Sequence, residues 1–126
     1  MKTDTMPTIL IVEDQQDVQT LLSVALTRPD RRLIHANNAA TGLDLAIQET
    51  PDLVLLDIMM PGEMDGLGLL RELRKDVRTA ETKIIVISAR AQHHDQQAAL
   101  AEGADIYITK PFRLAYLKEC IARVLP

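Results

Sequence analysis

Short apolar runs rich in β-branched residues return about every twenty to twenty-five residues along this chain, and stretches patterned at helical period fill the gaps. The runs are TILIVED (8–14), RLIHAN (32–37), DLVLLD (52–57), KIIVIS (83–88) and DIYIT (105–109). Strands and helices in strict turn predict an α/β sheet rather than separate layers. Four of the five runs are apolar on both faces, the pattern expected of parallel strands covered by helices on both sides. The second run is the exception, with a more polar face.

The helical stretches carry their own signals. Val18, Leu21, Leu22, Ala25 and Leu26 form one apolar stripe, and Leu114, Leu117, Ile121 and Val124 form another. Asn37 and Asn38 stand where the second helix needs a cap, Pro51 follows its end, and Gly103 closes the fourth. A third helix starts near Asp65 and carries Leu69, Leu70 and Leu73. Five strand and helix pairs result, with no internal repeat.

At 126 residues, 47% of them hydrophobic, the chain is expected to form one domain over 1–126 with a single core. The net charge of −4 with interspersed signs leaves no basic stripe for nucleic acid, so a protein partner is expected instead. A lone cysteine, Cys120, excludes an internal disulfide and reads as a half-buried structural thiol. No apolar run approaches membrane-spanning length and the opening MKTDTMPT has no apolar core, so the expectation is a reducing, cytoplasmic setting without membrane contact.

In an open parallel sheet, ligands bind beyond the carboxyl ends of the strands. The first run ends in Glu13 and Asp14, the third in Asp57, the fourth in Ser88, and the fifth in Thr109 and Lys110. Each alone has an ordinary explanation as a cap, a turn or a solvated charge. Together, complementary polar groups at one edge of four strands point to a site. Clustered carboxylates raise one another's pKa unless a cation is present, and oxygen-only donors in small number suit Mg²⁺ better than Ca²⁺. Three carboxylates balance one Mg²⁺ and one Lys⁺, so the site can accept a phosphoryl group on one acid, with an ammonium and a hydroxyl as partners for its oxygens.

Glu13-Asp14 after the first strand, DIMMPGEMDG from Asp57, SAR from Ser88 and YITKPF from Tyr107 together resemble the receiver domains of two-component response regulators, similar to the single-domain chemotaxis regulator. The resemblance covers nearly the whole chain. It implies a doubly wound, flavodoxin-like parallel sheet of five strands in order 2-1-3-4-5 with five helices. It further implies that Asp57 is the phosphoacceptor for a histidine kinase or phosphotransfer protein, and that Mg²⁺ is held by Glu13, Asp14, Asp57 and the backbone carbonyl of Met59. Ser88 and Lys110 would contact the phosphoryl oxygens. The peptide before Pro111 would be cis and aim Lys110 inward, and Ser88 and Tyr107 would act as the switch. The face of helix 4, strand 5 and helix 5 would bind an unknown protein target, with the monomer as resting state and dimerisation reserved for the phosphorylated form. Such a chain is a phosphoacceptor that assists its own phosphorylation and dephosphorylation, not an enzyme acting on others.

Several residues depart from the family pattern. The first acid is Glu13 rather than the commoner aspartate, and the switch hydroxyl is serine rather than threonine. PGEMDG carries one residue more than the commoner PGMDG, so the loop between Pro61 and Asp65 is expected to bulge. Met59 and Arg90 occupy positions that tune phosphoryl lifetime in the family. Among rival readings, a Mg²⁺-dependent phosphatase with an aspartyl nucleophile needs a second acid two residues on, where this chain has Met59. A nucleotide-binding domain needs a glycine-rich turn after the first strand, where this chain has EDQQD. A pseudo-receiver serving only as an interaction module would not need the complete acid, hydroxyl and lysine set.

Overall fold

The computed structural model describes residues 6–59, 65–90 and 92–125. Strands and helices alternate through β1 (Thr8–Val12), α1 (Gln16–Leu26), β2 (Arg32–Ala36), α2 (Ala39–Glu49), β3 (Leu53–Asp57), α3 (Gly66–Lys75), β4 (Lys83–Ser88), α4 (His93–Ala101), β5 (Ile106–Thr109) and α5 (Leu114–Val124). The strands form one parallel sheet in the order β2-β1-β3-β4-β5. Right-handed crossovers that run from β1 toward both edges of the sheet, first to β2 and then back through β3, account for helices on both faces.

Strand alternation divides the core in two. Leu10, Val12, Val54, Leu56, Ile84 and Val86 face α2 and α3, where Leu69, Leu70 and Leu73 pack. Ile9, Ile11, Leu53, Leu55, Ile85 and Ile87 face α1 and α5, against Leu22, Leu26, Leu117 and Ile121. Every residue of β1 and β3 is buried, which is why both read as continuous apolar runs. Strand β5 reads the same way but is only partly buried, because it is an edge with a neighbour on one side alone. Cys120 is fully buried rather than half-buried, and Leu21 of the α1 stripe is 49% exposed.

Four strands are shorter at their ends than the apolar runs suggest, β2 by Asn37 alone. Pairing in β1 stops at Val12, although Glu13 N–H still donates to Ala36 O at 3.0 Å. Asp52 and Asp105 fall before β3 and β5, where their carboxylates serve other strands: Asp52 Oδ2 accepts from Thr8 N–H at 2.8 Å and Asp105 Oδ2 from Ile84 N–H at 2.8 Å. Asn38 caps α2 by accepting from Thr41 N–H at 2.8 Å, and Asp65 caps α3 by accepting from Gly68 N–H at 2.7 Å. Gly103 follows α4 with φ +111°, a conformation that disfavours side chains. The expected bulge between Pro61 and Asp65 falls on 60–64 and lies outside the described residues.

Candidate functional site

The carboxyl ends of β1, β3, β4 and β5 meet at one edge of the sheet. Asp57 is the last residue of β3, and its side chain is 5% exposed. The Lys110 ammonium, just past β5, lies 3.2 Å from Asp57 Oδ2 and 3.3 Å from Glu13 Oε1. Lys110 N–H donates to Ser88 O at 2.7 Å, tying its backbone to the end of β4. The Lys110–Pro111 peptide is cis. A cavity of about 220 Å³ opens over these groups, lined by Asp14, Gln15, Asp57, Met59, Ala89 and Lys110.

Backbone amides fix the two buried acids. Gln15 N–H donates to Glu13 Oε2 at 3.1 Å, and Met59 N–H donates to Asp57 Oδ1 at 2.9 Å. The Gln19 side chain steadies the turn by donating to Glu13 O at 3.2 Å. Behind Asp57, Gly66 opens α3 so close to β3 that a Cβ there would collide with Ile58 Cα and lie 2.8 Å from Asp57 O. These amides and Gly66 are parts of the site that side-chain chemistry in the sequence does not announce. Gly66 alone leaves a trace, as the last residue of DIMMPGEMDG.

Burial pushes the Glu13 carboxyl up to about 7; the Asp57 charge adds to the rise, while the Gln15 amide and the Lys110 ammonium oppose it. For Lys110, burial opposes the charge, but the attraction of Asp57 and Glu13 outweighs it and holds the ammonium above its ordinary value. The cluster is therefore short of positive charge: one lysine serves two buried carboxylates, and Asp14 stands beside them, exposed. Glu13, Asp14 and Asp57 each offer a carboxylate oxygen within 4.8 Å of the others. Three hard oxygen donors with an uncompensated buried carboxyl fit a divalent cation such as Mg²⁺.

Ser88, Arg90 and Tyr107 form a second group beside the first. Ser88 is fully buried, is not among the residues lining the cavity, and its hydroxyl accepts from Arg90 N–H at 3.0 Å. Tyr107 packs half-buried against the α2/α3 side of the core, and its hydroxyl donates to Arg90 O at 2.8 Å. The backbone of Arg90 is thus held from both sides, by β4 and by β5. Its guanidinium points elsewhere, 3.8 Å from Asp95 Oδ1 in α4. Met59 is 46% exposed at the cavity rim.

Comparison with known proteins matches residues 9–122 to the response regulator receiver domain family model. Protein PilH of Pseudomonas aeruginosa is 36% identical over 95% of this chain and 98% of its own length. The DNA-binding dual master transcriptional regulator RpaA of Synechocystis is 37% identical over 94% of this chain but only 48% of its own length. The chain spans about half the length of RpaA and of several other curated relatives. Among solved structures, the receiver domain of a Pseudomonas aeruginosa sensor histidine kinase, which has a magnesium ion coordinated in its active-site cleft, superposes with a TM-score of 0.84 at 28% identity, covering 94% of this chain and 97% of that one.

Proposed function

The chain belongs to the response regulator receiver domain family, and on that premise we propose that Asp57 is its phosphoacceptor, supplied by the phosphohistidine of a histidine kinase or phosphotransfer protein. The observation that carries this reading is the Lys110 ammonium, 3.2 Å from Asp57 Oδ2 at the base of a cavity wide enough for a phosphoryl group. An Asp57 oxygen attacks phosphorus, the O–P bond forms as the P–N bond breaks, and the imidazole leaves with the electron pair. Such a transfer needs positioning and charge neutralisation more than a general base. The Met59 amide and Lys110 fix the attacking carboxylate on its two oxygens, and Lys110 is placed to meet the incoming phosphoryl oxygens. Magnesium, held by Glu13, Asp14, Asp57 and the Met59 carbonyl, would supply the remaining positive charge.

The switch follows from the second group. For the Ser88 hydroxyl to reach a phosphoryl oxygen it must turn from Arg90 N–H, which loosens the segment that Tyr107 also holds. Phosphorylation is thereby coupled to the α4, β5 and α5 face, which would bind a protein target. Met59 at the rim and Arg90 beside Ser88 would govern the access of water and hence phosphoryl lifetime. In this reading residues 1–126 act as one receiver domain in the cytoplasm, a phosphoacceptor rather than an enzyme, monomeric at rest and dimeric, if at all, only when phosphorylated. The net charge of −4 speaks against direct nucleic-acid contact by this domain. Among the described residues no helix is long and apolar enough to cross a membrane.

Intact mass spectrometry with a small phosphodonor tests the assignment. One phosphoryl should be gained with Mg²⁺ and none in chelator, and Asp57→Asn should abolish the gain. Phosphorylation of another residue in Asp57→Asn would overturn it. Sedimentation with and without beryllofluoride tests the resting state, and a constitutive tight dimer would refute the monomer.

A further inference from the structure

A second cavity, of about 360 Å³, lies between the carboxyl-terminal parts of α1 and α5, at the opposite edge of the sheet from Asp57. Its lining divides by chemistry: Ala25, Ile121, Ala122 and Leu125 supply apolar wall, Thr27 a hydroxyl, and Arg28, Arg31 and Lys118 three positive charges, with no carboxylate among them. That is unexpected in a chain of net charge −4. The neighbouring cavity around Asp52 sets Asp52 and Glu81 against Arg78 and Lys83, so an acid-free cationic lining is not general to this edge.

The three cations are only partly answered. Arg28 pairs with Asp30 at 2.7 Å, but both are more than half exposed, where such a pair is weak. Arg31 donates to Leu26 O at the end of α1 at 3.3 Å, and burial followed by the nearby Arg28 charge disfavours its ionised form. The Lys118 side chain makes no hydrogen bond or ion pair with the described residues. The carboxyl ends of the two helices contribute about half a negative charge each. Even with Asp30 counted, positive charge remains in excess.

We propose that this cavity is a binding site for a small organic anion, a phosphate, phosphonate or carboxylate on a short apolar body. Arg31 and Lys118 would hold the anionic head, and Ile121 and Leu125 would cover the body. The volume falls in the range of small-ligand sites, which join an apolar lining to a few polar groups that orient the ligand. Cations beside an apolar wall in one cavity favour a molecule with both characters over a bare ion.

Phenylphosphonate, which cannot donate its phosphorus, is a suitable probe, titrated without Mg²⁺ into the full chain and followed by amide chemical shifts. Saturable shifts are expected around Arg28, Arg31, Lys118 and Ile121, with inorganic phosphate binding more weakly. Lys118→Glu should weaken phenylphosphonate about tenfold or more, since charge-assisted hydrogen bonds are of that strength, while leaving phosphorylation from a small donor unchanged. Lys118 is exposed and unbonded, so the fold should tolerate the change; Lys118→Gln, with a smaller loss, is the check. Shifts centred on Asp57 and Lys110, affinity untouched by Lys118→Glu, phosphate binding as tightly as phenylphosphonate, or no saturable response would each overturn the proposal.

Discussion

Replacing Glu13 by glutamine tests the electrostatics of the site where they are least balanced. In the metal-free protein, burial and the Asp57 charge lift the Glu13 carboxyl from 4.5 to about 7. A folded-state value above the unfolded one means that the fold prefers the protonated acid. Its contribution to stability is fully present below pH 4.5 and is lost as pH rises through 7. At roughly 1.4 kcal/mol per unit the full shift corresponds to about 3 kcal/mol, and solvent screening at the open edge of the site reduces that to about 2 kcal/mol.

Urea denaturation in chelator should therefore show wild type losing about 2 kcal/mol more than Glu13→Gln between pH 4.5 and pH 8. The variant should be the more stable of the two at pH 8, because it buries an amide where wild type must bury a charge. Magnesium should reverse the order at pH 8, stabilising wild type through a ligand that the variant lacks. The same pH slope in both proteins would refute the assignment of the strain to Glu13. Equal stabilisation of both by Mg²⁺ would remove Glu13 from the metal site.

Gly66→Ala should cost about 3 kcal/mol or more, because the added carbon meets the backbone of Asp57 and Ile58, which cannot yield; Gly42→Ala, whose Cβ would lie 3.1 Å from a Val12 methyl, should cost about 1 kcal/mol or less, and thermal unfolding of the pair makes the comparison. Arg74→Met should cost about 3 kcal/mol in urea, since the guanidinium donates to the carbonyls of Ala80, Thr82 and Gly103 and pairs with Asp105; a loss under about 1 kcal/mol would mean water replaces it. Lys110→Ala should keep the fold but uncouple phosphorylation from α4, so that amide exchange in α4 changes on phosphorylation in wild type and not in the variant. Equal changes in both would show that Lys110 does not transmit the signal.

The order of elements, the parallel sheet and the edge bearing the polar residues were legible in the sequence because they rest on period and position. A buried parallel strand must be apolar on both faces, and β1, β3 and β4 are; a cap must stand before its helix, and Asn38 and Asp65 do. Asp57 and Lys110 sit at strand ends whatever the packing details. What the sequence could not supply was the third dimension of that edge. Only folding sets Lys110 between Asp57 and Glu13, residues 53 and 97 positions away, and only folding turns the Ser88 hydroxyl to Arg90 N–H rather than to the cavity. The amides of Gln15 and Met59 are invisible in a residue pattern because every residue but proline carries one. Strand β5 reads as a core strand and is an edge, since hydrophobicity reports what a residue avoids and not how many neighbours it has. The raised Glu13 carboxyl is likewise a tertiary property, created when two acids from different strands are buried around one ammonium.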